Sequence, residues 1–387
     1  MDKIIYLDHY RTTRTSPYVL EKMRPYLEEL FYMPVAFTQM GTDIAEAIEE
    51  ASERIKKALN APNSEIIYTS GGTQANNMVI HGIMRDQEPE QTGMITSVID
   101  HPSINNAFDY YRKKGFEVKK VKVDEYGFWK TDQLEAALND NSKLVSITLV
   151  NHTIGTIQRY NELKKIIRER NPKTLIHLDI SMALMTQEID FEALDADFLT
   201  LSSHKIYGPK GIGLIVSKRP VKLKPIFFGT VVTSPFSPGA ENVAAIVGLS
   251  YAIEEAVKNR IEHHNNMKTL QKYLMNQIEM KIDLVELNGP VDERASDNIN
   301  YSFRHIEGES IMMFLDFDSI VVATGSACAS SDLKVNYILS AIGRDHEMAH
   351  GSLRITPGID TTKEDLDIFV EKLVPIVERL RAQSTIR

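Results

Sequence analysis

The chain's 387 residues carry 44 Lys+Arg against 53 Asp+Glu, a formal net charge of −9, with 43% hydrophobic residues, 25% charged residues and one cysteine. This apolar content supports a core and excludes a disordered chain, and no apolar run reaches the roughly 18 residues of a membrane span. The acidic balance argues against nucleic-acid binding, and a lone cysteine, unable to form an internal disulfide, fits a reducing compartment. The opening MDKIIYLD lacks the basic and apolar regions of a secretory leader, so a cytoplasmic protein is expected, with two domains or one large domain and a satellite.

In chain order, two helical stretches come first, at about 16–31 and 43–59. Short β-rich runs then alternate with amphipathic helices. The runs are EIIYTS (65–70), GMITSVI (93–99), EVKKVKV (117–123), KLVSITLV (143–150), TLIHLDI (174–180), DFLTLSS (197–203) and GIGLIVS (211–217). The helical patterns between them include Ala75–Met84, Ile104–Lys114, Thr131–Leu138 and Tyr160–Arg170. Such alternation predicts crossover units and a mostly parallel α/β sheet. A long helix is expected over about 241–280, followed by a smaller α+β unit. In that unit DLVELNG, NINYSFR and IVVAT read as strands, and 308–316, 332–342 and 362–383 as helices.

Ligands of parallel sheets gather at the carboxyl ends of the strands, so the residues that follow each strand are the first candidates. After the first comes Ser70, Gly71, Gly72, Thr73 at a helix start, where free N–H groups and the positive dipole end suit a phosphate. A plain turn capped by Thr73 is the alternative. His101 follows the second strand. Asp179 ends LIHLDI, an acidic group on an apolar strand that needs a cation or hydrogen bonds, such as a protonated ring nitrogen. Lys205 follows FLTLSS in the company of Ser202, Ser203 and His204, and a lysine there can form a Schiff base if its ammonium pKa is lowered. Cys328 lies in TGSACASS, a small polar segment suited to an accessible thiol, and Arg354 in GSLR can fork onto a carboxylate.

An anion cradle, a ring-facing histidine, a strand-end aspartate and a lysine after a strand together describe a pyridoxal phosphate site. The chain resembles the cysteine desulfurases, in the class V aminotransferase group of fold-type I pyridoxal phosphate enzymes. The strings that carry the resemblance run in family order. They are TSGGTQANN (69–77), DHPS (100–103), NHTIGTIQ (151–158), HLDISMA (177–183), SSHKIYGPKGIG (202–213), GAENVAAIVG (239–248), IEGESI (306–311), TGSACAS (324–330) and AHGSLRITPG (349–358).

The resemblance implies a fold-type I transferase with a mostly parallel seven-stranded sheet, a large cofactor-binding domain over 15–258, and a small domain from 1–14 and 259–387 that carries the cysteine loop. Pyridoxal 5'-phosphate would be the cofactor, with no metal. Lys205 would form its Schiff base, His101 would stack on the ring and move protons, and Asp179 would keep the ring nitrogen protonated. Gly72, Thr73, Ser202 and His204 would hold the phosphate, and Asn151 would reach the ring hydroxyl and the substrate. Arg354 would take the carboxylate of L-cysteine. Cys328 would take its sulfur as a persulfide, leaving alanine, with the sulfur passing to an iron–sulfur scaffold or another acceptor protein. A homodimer is implied.

The departures from the family pattern cluster on the substrate side. Tyr10 and Arg11 replace small residues, and Asn-Asn-Glu becomes Asn151, His152, Thr153. Met182 stands where a glutamine would meet the ring hydroxyl, while Ser237 and Ala240 stand where an arginine and a threonine are usual. These changes leave two alternatives beside the desulfurase. One is a pyridoxal phosphate enzyme for another amino acid, and the other is a weakly active or inactive paralogue that serves as a sulfur-relay or binding subunit.

Overall fold

In the computed structural model, which describes residues 3–35, 37–220, 223–324 and 336–384, the β-rich runs form strands almost where their pattern places them. After β1 (Ile5–Tyr6), the strands β2 (Ser64–Thr69), β3 (Gly93–Ser97), β4 (Glu117–Val121), β5 (Ser142–Thr148), β6 (Leu175–Asp179), β7 (Phe198–Ser202) and β8 (Gly213–Lys218) build the larger unit. They form one seven-stranded sheet in the order β2-β8-β7-β6-β5-β3-β4. Only β8 runs against its neighbours; the other pairings are parallel. Every residue of β3 and β7 is buried, as expected of parallel strands covered on both faces. Alternation along β5 serves two cores: Leu144 packs on one face of the sheet with Met94, Phe198 and Ile215, and Val145 and Ile147 pack on the other.

The covering helices are α1 (Pro17–Glu28), α2 (Gln39–Ala58), α3 (Gly72–Met84), α4 (Pro102–Lys113), α5 (Thr131–Ala137), α6 (Tyr160–Arg170) and α7 (Phe191–Leu194). Local chemistry sets their starts. Ser16 accepts from Val19 N–H ahead of a proline at the first helical turn, and Thr38 accepts from Gly41 N–H. Then α8 (Val243–Lys281) runs 39 residues without a break. Its first half packs in the large core through Val243 to Ala256, and Leu274, Met275 and Ile278 pack in the second core. The domain boundary expected at 258 therefore falls inside a continuous helix.

The second unit holds a four-stranded antiparallel sheet, β12-β13-β10-β9, made of β9 (Val285–Leu287), β10 (Ile299–Phe303), β12 (Ala323–Thr324) and β13 (Ser352–Ile355). The helices α9 (Gly308–Phe317), α10 (Tyr337–Ala341), α11 (His346–His350) and α12 (Lys363–Gln383) accompany it. The run IVVAT, expected as one strand, is divided: β11 (Ile320–Val321) pairs with β1, and β12 pairs with β13. Two different partners demand the break. The five-residue α11 has no counterpart in the sequence reading, being too short to show a helical period.

Arg294 fastens this unit to the large one. It is 1% exposed and donates to Pro290 O at 2.7 Å, Ile154 O at 2.9 Å and Asn298 Oδ1 at 3.2 Å, and also to Asn288 O. Burial pushes its guanidinium down to about 10. The turn it grips carries Gly155, whose φ of +72° and contact with Asn298 leave no room for a side chain. Removing the guanidinium strands several enclosed carbonyls, so Arg294→Met should lower the unfolding free energy by about 3 kcal/mol, read from a denaturant midpoint at unchanged slope.

Candidate active site

The carboxyl ends of β3, β5, β6 and β7 deliver His101, Asn151, Asp179 and Lys205 to one place beside the start of α3. At that start the helix begins at Gly72, earlier than the apolar period shows, because glycines hide the helical pattern. Gly71 is the N-terminal flanking residue and no side chain caps the helix. Thr73 is thus an exposed first-turn residue and not the cap. The unused N–H groups of that turn are donors for an anion. Ser202 closes the cradle, its Cβ 3.1 Å from where a Cβ of Gly72 would stand. Gly213 permits the approach, since a Cβ there would lie 2.7 Å from the Gly71 carbonyl carbon. His204 sits next in the chain, its Nδ1 3.1 Å from Thr12 Oγ1, and burial pushes its imidazole down to about 4.

Asp179 is 6% exposed. Its Oδ1 accepts from Ser181 N–H at 2.9 Å and its Oδ2 from Asn76 Nδ2 at 2.8 Å. Asn76 is held in turn by Thr200 Oγ1 at 2.5 Å, and Thr200 meets His177 Nε2 at 2.9 Å. His177 Nδ1 ends the chain of bonds at Ser146, 2.7 Å away. This line of buried polar groups orients the carboxylate, which has no ion-pair partner among the described residues.

His101 starts α4. Its Nδ1 accepts the Ser103 N–H at 3.2 Å, so the neutral ring carries its proton on Nε2. Burial, together with the nearby Lys205, lowers its pKa, opposed by Asp179. Asn151 is committed to its own turn: Oδ1 accepts from Thr153 N–H at 2.9 Å and Ile154 N–H at 3.1 Å, and Nδ2 donates to Ile99 O at 3.1 Å. One amide N–H remains for a ligand.

Lys205 follows β7 in a single 3-10 turn. Its Nζ donates to Tyr10 O and, at 3.0 Å, to Arg11 O. Burial, with Arg354 next, pushes its ammonium down to about 8. Tyr10 and Met182 line one narrow pocket with Lys205 and Asp297. There Tyr10 Oη donates to Asp297 Oδ1 at 2.8 Å, and burial raises the Asp297 carboxyl to about 6.

Arg354, on β13, reaches across from the small sheet. Its Nη2 lies 2.7 Å from Asp8 Oδ1 and its Nη1 3.0 Å from His152 O, while its Nε is enclosed with no partner. Arg11 Nε meets the other oxygen of Asp8 at 2.9 Å. Cys328 lies outside the described residues. Ser237 and Ala240 precede α8, half-buried and exposed respectively.

Asp8, Asn76, Ser103 and His177 had no role in the sequence reading. Asn76 was within sight, because it falls one turn after Gly72 on the face that meets Asp179. The donor set fits a phosphorylated pyridine aldehyde: free helix N–H groups for phosphate, a fixed carboxylate for a ring nitrogen, and an amine of lowered pKa.

The Aminotransferase class-V family matches residues 5–369. The chain is 39% identical to "Cysteine desulfurase IscS" of Dictyoglomus turgidum, over 99% of this chain and 97% of that one. Among solved structures, a "NifS-like protein" superposes with a TM-score of 0.91 at 29% identity, covering 97% of this chain and 100% of that one. "SspA in complex with cysteine" gives 0.80 at 26% identity, covering 91% and 98%.

Because the neutral amine of Lys205 dominates above pH 8, its labelling by an acylating reagent should rise with pH to a midpoint near 8. Arg354→Met removes a cation that favours the neutral amine and should move that midpoint upward, as read by peptide mass mapping.

Proposed function

The chain belongs to the class V aminotransferase family and is a cysteine desulfurase, and from that premise we propose how its own residues carry the reaction. Pyridoxal 5'-phosphate is the cofactor. The single observation that carries the assignment is an amine of lowered pKa, Lys205, beside a hydrogen-bonded carboxylate, Asp179, and an uncapped helix start.

Gly72, Thr73 and the first-turn N–H groups of α3 hold the phosphate with Ser202 and His204. Asp179 would face the ring nitrogen and favour its protonated form. The free amide N–H of Asn151 meets the ring hydroxyl, a contact that Met182 cannot make. Lys205 is the amine that would hold the cofactor's aldehyde through Nζ, and its lowered pKa would make it a base of suitable strength for the α-proton. When bound, the cofactor withdraws electrons from the substrate's Cα. His101 would stack on the ring, with its proton on Nε2 because Nδ1 accepts the Ser103 N–H.

The substrate is L-cysteine. Arg354 takes its carboxylate through the unpartnered Nε edge, with Asp8 and His152 O holding the rest of the guanidinium. Arg11 adds a second cation on the same carboxylate, Asp8. The net reaction moves the substrate's sulfur to Cys328 as a persulfide and leaves alanine. An acceptor protein then collects the sulfur for iron–sulfur cluster assembly or thio-modification.

We assign the protein to the cytoplasm, and no helix among the described residues is long and apolar enough to cross a membrane. It works as a homodimer. Exposed large apolar residues support that reading, among them Leu27, Phe31, Met33, Val35 and Phe37, with Phe37 98% exposed.

Incubation with pyridoxal phosphate, L-cysteine and a reductant should yield sulfide and alanine, and both products should vanish in Lys205→Ala, with sulfide lost in Cys328→Ala. Borohydride should fix a pyridoxyl tag on Lys205; absence of product from the wild-type protein removes the assignment. Arg11→Ala should raise KM for cysteine by about threefold to tenfold, the size of a partly screened charge contact, and an unchanged KM dismisses its role.

A further inference from the structure

We infer that His152 is the residue that reads the side-chain thiol of the substrate, a specificity role that rests on the desulfurase reading above. His152 follows Asn151 in the turn after β5. That turn is pinned by Asn151 Oδ1, and the main-chain oxygen of His152 receives Arg354 Nη1 at 3.0 Å. The ring is therefore carried by the same contacts that place the carboxylate-binding arginine.

The ring stands edge-on to His101, with centroids 5.0 Å apart and planes at 74°. Its Nδ1 is enclosed and has no hydrogen-bond partner, and no hydrogen bond reaches the other nitrogen among the described residues. A neutral imidazole offers one donor and one acceptor, and here neither is used within the protein. An enclosed polar atom without a partner calls for an explanation, and beside Arg354 and Lys205 a bound ligand supplies one.

The groups that face the ring are His101 from α4, Arg354 from β13 and Lys205 from the turn after β7, and no carboxylate is among them. Together with burial they keep the imidazole uncharged. It is therefore a weak base whose bare ring nitrogen can accept a neutral hydrogen bond.

The neighbours account for the rest of an amino acid. Arg354 takes the carboxylate, Lys205 stands where the α-amine must arrive, and His101 faces the ring. The β-substituent is the one group left, and His152 offers an unpartnered ring nitrogen beside them. An S–H···N hydrogen bond satisfies both. No proton is transferred and no covalent bond changes; the contact selects a β-thiol or β-selenol over an alkyl side chain of similar size.

The test is equilibrium binding to the pyridoxal phosphate holoenzyme in the Cys328→Ala background, followed by cofactor absorbance. L-cysteine is compared with L-2-aminobutyrate, which has a methyl group in place of the thiol. With His152 present, cysteine should bind about tenfold or more tightly, and His152→Phe should reduce the preference to about twofold or less. His152→Gln, which restores an acceptor, should recover part of it. A preference that survives both His152→Phe and His152→Ala overturns the inference, as does an equal loss for both ligands, which makes His152 a support for His101 only. Sulfide and alanine release by the otherwise wild-type enzyme is measured alongside. Its absence condemns the desulfurase reading, whereas its presence with an unmoved preference condemns only the role of His152.

Discussion

Asp8 is a carboxylate only 2% exposed, with a guanidinium on each of its oxygens, Arg354 at 2.7 Å and Arg11 at 2.9 Å. Burying an unpaired charge would be costly, and these cations offset that cost. The consequences spread along the chain. On one side of Asp8, β1 joins β11 of the small unit; on the other, the carbonyls of Tyr10 and Arg11 receive Lys205, and Thr13 N–H donates to His204 O at 2.9 Å. Ser16 N–H then reaches Tyr207 O at 2.9 Å. Residues 5–16 form a strap from the small sheet to the lysine-bearing turn, and the ion triplet sits at its middle.

The strap explains how two sheets with separate cores share one site. The large sheet supplies the groups that fit a phosphorylated ring, all at strand ends. The small sheet supplies Arg354, which could not be aimed without Asp8 and the main chain of His152. Arg294 grips the same turn from behind. The groups that fit a phosphorylated ring thus belong to one body, and Arg354 reaches the junction from the other.

Much of this was legible in the sequence. The seven large-sheet strands were marked by β-branched runs that end in polar residues, and Lys205, Asp179 and His101 were visible as chemistry at those ends. The start of α3 was read late because Gly72 and Thr73 carry no apolar signal. IVVAT concealed a division, since a local pattern does not reveal that consecutive residues pair with different strands. Asp8 and Arg294 were silent for a related reason: each acts through partners more than a hundred residues away, Arg354 and Ile154, and nothing local distinguishes such an acid or base from a surface one. His152 stands out in the sequence only as a departure, because its meaning lies in what surrounds it.

The unbroken course of α8 has a mechanical consequence. A helix rises about 1.5 Å per residue, so its 39 residues form a spar of roughly 58 Å embedded at both ends in packed cores. Its main chain runs helical from one core to the other, so the two bodies are joined by a helix and not by a loose linker.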